Sequence, residues 1–239
     1  MKKFDWSLLD RKSLINIFWL LKDQIVGKTY SVSELQSIFS KHLKKHLPIK
    51  VSKTIGTDVD FGWVYIGGTY YGDHDQDFKK CIEIVFAYNP FDVLITLGPL
   101  TFKNMCRSFA DTILHEIIHM RQYRRRNWKE LPFYESNAAK SDQRREQEYL
   151  GCSDEIDSYS FNIACELVDK FKNSKDIADY ISKKHRRGRL KSSSLRMYLK
   201  AFDYNTTHPI IRKLKKRVIS YIPNAELGKP YRNRDWICH

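Results

Sequence analysis

The twenty residues from Met105 to Arg124 contain neither glycine nor proline, and their apolar side chains recur at helical spacing. Met105, Phe109, Ile113 and Ile117 form one row, with Cys106, Ala110, Leu114 and Ile118 beside it. This period predicts a helix anchored on an apolar face, which the rest of the chain must cover. Its more polar positions include His115, His119 and Gln122, and its centre reads His115-Glu116-Ile117-Ile118-His119. Residues four apart share a helix face, so the two imidazoles can converge on one ion, with Glu116 beside them. Two histidines at this spacing with a neighbouring acid suit Zn2+. The alternative is a pair of solvated histidines on an amphipathic helix. Asp111 and Thr112, four and three residues before His115, are placed to orient an imidazole by a hydrogen bond.

The segments before this helix divide into two kinds. Leu14 to Val26 predicts an apolar helix closed by Gly27, and Ser31-Val32-Ser33-Glu34 is a capping box that opens a second helix running towards Leu47 and stopping at Pro48. From Ile49 to Leu97 the pattern becomes that of strands. Phe61 to Ile66, Cys81 to Tyr88 and Val93 to Leu97 are β-branched or aromatic runs separated by Gly, Asp, Asn and Pro. They predict a small, mostly antiparallel sheet. Asp73-His74-Asp75-Gln76-Asp77 fails the calcium-loop template, because its sixth and twelfth positions are Phe78 and Ile84, so a solvated turn is expected there.

Beyond Arg124 a polar connection runs to Cys152, expected as loop or exposed helix, followed by an amphipathic helix from about Asp154 to Phe171. Basic helices are expected around Ser193 to Phe202 and Pro209 to Ile222. The chain thus reads as an α+β fold in three stretches: helical packing over 1–48, a core over 49–173, and a basic helical region over 174–239 packed on that core as one domain.

A catalytic zinc site needs a third protein ligand. The metzincin pattern would put His six beyond His119 and Gly three beyond, where this chain has Arg125 and Gln122, and the nearby third His of SprT-like proteases is also missing, since the next histidine is His185. A carboxylate remains. Glu155, in the first turn of the amphipathic helix and one step round from Ile156, would point sideways when the apolar stripe is buried. Its alternative role is that of an acid stabilising a helix N-terminus. Glu135-Ser136-Asn137-Ala138-Ala139 offers a rival carboxylate without an apolar stripe to fix it.

At these residues the chain resembles the gluzincins, zinc peptidases with His-Glu-x-x-His on one helix and Glu-x-x-Ala-Asp/Asn on a following one. Here the second element is Glu155-Ile156-Asp157-Ser158-Tyr159, with Ser158 where the family has Ala and Tyr159 where it has an acid or amide. The resemblance spans about Leu94 to Val168. It implies a zincin-like fold, Zn2+ held by His115, His119 and Glu155, and peptide hydrolysis with Glu116 as general base. It also implies an edge strand, Val93–Leu97 or Cys81–Tyr88, that binds substrate as an added strand. Tyr159 is the candidate oxyanion donor, with Tyr149 and His208 behind it.

Charge separates the chain into two parts. The net charge is +14, and between Lys170 and Arg217 sixteen Lys and Arg face three acids, an excess of +13. Nucleic acid is therefore a candidate partner, through residues 183–217, and a set of solvated helix faces is the alternative account of the same charge. A nucleic-acid-binding or regulatory protein that uses the zinc fold as a scaffold is the competing functional class. The apolar run Leu14 to Leu21 falls short of the roughly 18 residues of a membrane span and lacks a cleavage site after it, which predicts an intracellular chain with no membrane partner. Five cysteines without a C-x-x-C pair predict reduced thiols. Compact size and high Lys and Asn content are compatible with a phage or mobile-element origin.

Overall fold

The computed structural model describes residues 4–56, 59–60, 64–76, 80–91, 94–129, 141–185, 188 and 190–231. It divides into two compact units, Met1–Met120 and Arg121–His239, and the division falls inside one continuous helix.

The first unit begins with α1 (Arg11–Trp19) and α2 (Lys22–Ile25). The single helix expected over Leu14–Val26 is broken at Leu20 and Leu21. This turn leaves Leu20 exposed and brings Leu21 and Ile25 into the core. Gly27 follows at φ +76°, the left-handed conformation glycine adopts without steric cost. Next come β1 (Thr29–Tyr30) and α3 (Val32–Leu43), whose capping box is complete: the Ser31 hydroxyl accepts from the Glu34 amide, and the Glu34 carboxylate accepts from the Ser31 amide at 2.7 Å.

β2 (Ile49–Ile55), β3 (Val64–Tyr70), α4 (Gly72–Gln76), β4 (Ile82–Tyr88), β5 (Ile95–Thr96) and α5 (Pro99–Arg125) complete the unit, α5 continuing into the second. The sheet corrects the sequence expectation in two ways. First, it is mixed, with order β2-β4-β3: β2 pairs with β4 in parallel and β3 pairs with β4 antiparallel, while β1 and β5 form a separate antiparallel pair. Secondly, β4 is the central strand. It carries the buried Ile82, Glu83, Ile84 and Phe86, and a strand that buries residues on both faces is most stable between two neighbours. The acidic segment expected as a solvated turn is α4, and Asp75 within it is buried, accepting from the Tyr70 hydroxyl at 3.0 Å. Asp77 and the first part of the Phe61–Ile66 run, 61–63, lie outside the described residues.

Phe109 on the apolar stripe of α5 is the centre of this unit. Its ring stacks on Phe18 of α1 at 4.4 Å, meets Phe39 of α3 at 4.8 Å and meets Phe86 of β4 at 5.4 Å. All four rings are fully buried, each burial contributing roughly 1.5–3 kcal/mol. From Ile113 to Arg121 every residue of α5 is buried, so the helix is enclosed all round rather than along one stripe. Cys81, Cys106, Cys152 and Cys165 are buried and take part in no disulfide among the described residues, and burial pushes the Cys106 thiol up to about 12.

The second unit holds α6 (Asp142–Gly151), α7 (Ser153–Val168), α8 (Ser174–Ser182), α9 (Ser193–Ala201) and α10 (Pro209–Glu226). α7 is its axis. Small Ser160 lets α10 approach closely, its hydroxyl donating to the Ile156 carbonyl at 2.5 Å and lying 3.4 Å from the Leu214 carbonyl. Glu166 accepts from the backbone amides of Ser193 and Ser194 and so stabilises the N-terminus of α9. Among the described residues no helix is long and apolar enough to cross a membrane.

Candidate metal centre

His115 and His119 lie in the enclosed part of α5 and are only 6% and 7% exposed, which overturns the reading of two solvated histidines. Their rings meet at 69° with centroids 4.8 Å apart, and their Nε2 atoms are 3.0 Å from each other. The Glu155 carboxylate of α7, 2% exposed, completes the group: the three ligand atoms all lie within 4.8 Å of one another.

This donor set can hold a metal ion. Two neutral imidazole nitrogens and one carboxylate oxygen are a common set for a divalent cation with an open fourth position. The 3.0 Å nitrogen separation is close to the roughly 3.3 Å edge of a tetrahedral site with bonds of about 2.0–2.1 Å. Burying two such imidazoles with a carboxylate in one place is also costly unless a cation or proton compensates the acid.

Local chemistry explains how Glu155 is held. Gln122, on the last turn of α5, donates through Nε2 to the Asp154 carbonyl at 3.2 Å and lies 3.4 Å from the Asp157 carboxylate. Arg126, just past the helix, grips the Asp154 carboxylate with two parallel hydrogen bonds, at 3.0 and 2.7 Å. The residues on either side of Glu155's turn are thus tied to the end of α5. α5 stops there because Asn127 and Trp128 adopt φ of 51° and 58°, and the Trp128 amide turns back to the Tyr123 carbonyl at 2.8 Å.

On the other side of Glu116 is β3. A Cβ placed on Gly68 would lie 2.6 Å from the Glu116 Oε1 and 2.6 Å from the Thr112 Cγ2, distances no side chain tolerates. The β3 backbone therefore passes directly against the acid of the pentapeptide, and only glycine fits. β3 is also an edge of its sheet, whereas the Cys81–Tyr88 run expected as the edge is central and Val93–Leu97 contributes only the short β5 paired to β1. Gly67-Gly68 inside a strand pattern was the sequence signal for a close backbone approach.

Nearby, the Tyr71 hydroxyl donates to Glu83 at 2.7 Å, and Glu83 pairs with Lys50 at 3.0 Å. Burial works to raise the Glu83 carboxyl, but hydrogen bonds from Ser52, Tyr71 and Lys50 hold it below the usual carboxylate range. The Tyr71 phenol is raised by its bond to Glu83, then by burial and by the charges of Glu83, Asp73 and Glu116, so it stays protonated.

Other expected residues have other places. The Asp111 carboxylate is held by Arg11 of α1, at 2.6 and 3.0 Å. Thr112 packs under Gly68. His208 caps α10, its Nδ1 accepting from the Ile210 amide at 3.3 Å, and Tyr149 sits on α6, 42% exposed. Glu135 lies outside the described residues. Tyr159 is one turn beyond Glu155, its ring packed edge-on against Tyr198 at 5.6 Å. Tyr198 of α9 was missed from sequence, where a lone tyrosine on a basic helix carries no signal. It is fully buried, its hydroxyl has no hydrogen-bond partner among the described residues, and burial, then the Glu155 charge, pushes its pKa well above the usual value.

No family model, curated protein or solved structure matches this chain.

Proposed function

We propose that this protein is a zinc-dependent peptidase, and the buried convergence of His115, His119 and Glu155 is the observation that carries the reading. His115, His119 and Glu155 would hold the zinc ion, which would supply Lewis acidity towards a water and a carbonyl. Glu116 acts as general base: its carboxylate takes a proton from the attacking water and passes it to the leaving amine. Its burial beside Gly68 keeps that carboxylate in one position. Substrate adds, as an extended strand, to the edge of β3 that has no strand partner among the described residues, so the backbone amide and carbonyl groups of the Gly67-Gly68 region align the scissile bond next to Glu116. Tyr159 donates to the developing oxyanion, and the Tyr198 phenol stays protonated beside Glu155.

The test separates base from ligand. Glu116→Gln should lower turnover of an unstructured protein substrate by about 10²–10⁴-fold and leave one equivalent of zinc bound. His115→Ala with His119→Ala should bind none. Protein purified without chelator that holds no stoichiometric metal, or a double variant with unchanged metal content, defeats the proposal.

A further inference from the structure

The second unit contains a cavity of about 620 Å³ formed by the end of α5, the first turns of α7 and one face of α10. Its walls carry five cations, Arg125, Arg126, Lys213, Lys216 and Arg217, and two acids, Asp154 and Asp157. The acids are already committed. Asp154 is held by both terminal nitrogens of Arg126, and Asp157 by Arg217 at 2.5 Å, with the Tyr221 hydroxyl at 3.0 Å. Arg125, Lys213 and Lys216 remain exposed and make no ion pair among the described residues. Lys213, Lys216 and Arg217 also share one face of α10, at like-charge spacings that destabilise an isolated helix. A concave wall with three positive charges that have no ion-pair partner among the described residues suits an anion.

We propose that this cavity binds the phosphate backbone of nucleic acid. Extent selects a phosphate chain over a single small anion. The Arg126 and Arg217 guanidinium groups are engaged by Asp154 and Asp157, so a ligand meets Arg125, Lys213 and Lys216, a fork and two point charges that suit phosphate oxygens. Positive charge also continues outside the cavity: Arg212 is exposed on the same helix, and residues 121–239 hold 27 Lys and Arg against 15 Asp and Glu, a net +12. A chain of phosphates can meet charge along its length, whereas a single anion would use only the cavity. This site is assigned independently of the peptidase reading.

The experiment is fluorescence anisotropy of a labelled DNA duplex of about 20 base pairs with the full chain, over a series of salt concentrations. It needs neither turnover nor metal, so it is run with and without chelator, and failure of the zinc proposal leaves its outcome unaffected. Log affinity should fall linearly with log salt; Lys213→Gln with Lys216→Gln should weaken binding at least about tenfold at low salt and reduce the slope by about 2. Lys213→Arg with Lys216→Arg should restore both. The same charge change in the first unit, Lys44→Gln with Lys45→Gln, should alter affinity less than about twofold. Equal losses from the two glutamine pairs, a salt-insensitive affinity, or equal displacement by a polyglutamate peptide of matched charge would each overturn the assignment.

Discussion

Arg11 reaches Asp111 in the middle of α5, and Arg126 reaches Asp154 just beyond its end, so two arginine–aspartate pairs secure the same helix in two different settings. The first lies in a unit of 15 Lys and Arg against 13 Asp and Glu, net +2, built on the stacked rings around Phe109. Its side chains are 10% and 14% exposed. The second lies in the unit of net +12, with Arg126 25% exposed, and it adjoins the third candidate ligand rather than an aromatic core. The same chemistry thus serves packing in one region and ligand placement in the other. Where the core already fixes a helix, an ion pair adds mainly stability; where a first helical turn must be aimed, it sets geometry.

The comparison can be broken most sharply at Gly68. On the peptidase proposal, Gly68→Ala should reduce turnover by about 10²-fold or more and lower the melting temperature, because the added methyl displaces Glu116 and crowds Thr112, while zinc content changes far less. Loss of metal with the turnover would show that β3 supports the ligands rather than the base alone.

The two pairs are next. Arg11→Ala should cost about 3 kcal/mol in chemical denaturation by removing the two-point pair with the part-buried Asp111 carboxylate, with metal affinity of the folded protein unchanged. On the zinc proposal, Arg126→Ala should cost a comparable amount, since the Asp154 carboxylate it leaves is buried, and should also lower zinc affinity by about 10-fold or more through loss of Glu155's placement. Calorimetric zinc titration of both variants decides it; equal affinity losses would erase the distinction.

The smallest effect belongs to His185 at the rim of the basic region. Burial, and then the charge of Lys215, lowers its pKa below the ordinary value of 6.5. Below pH 6.5 the unfolded chain therefore binds more protons at this site than the folded one, and stability is lost as pH falls through that range. His185→Gln should flatten the dependence of stability on pH between about 6.5 and 5, measured by urea unfolding, and leave it unchanged above pH 7. An unaltered profile would show that His185 is not the group responsible.

Much of this was legible locally. The capping box at Ser31 and Glu34, the Gly27 stop and the amphipathic helices after Cys152 are written in residues a few positions apart, and local propensity is enough to read them. The sheet order was not, because insertion of β4 between β2 and β3 depends on which strand buries both faces, a property of the assembled core. The break at Leu20 was hidden for a similar reason: the apolar run Leu14–Leu21 continues through it, and only burial of Leu21 and Ile25 selects the turn.

By itself the sequence determined the two histidines and the acid of the pentapeptide, their helical spacing, and the carboxylate in the first turn of a later amphipathic helix, because helix periodicity ties side-chain direction to residue number. It also determined the concentration of positive charge in the last third of the chain. Tertiary structure decided that the histidines are buried, that Glu155 comes within 4.8 Å of them, that Gly68 lies against Glu116, and that Arg125 shares a cavity with Lys213 and Lys216. Those meetings join residues tens of positions apart, and no local period specifies them; they follow from which apolar faces can be buried together and which charges can be paired.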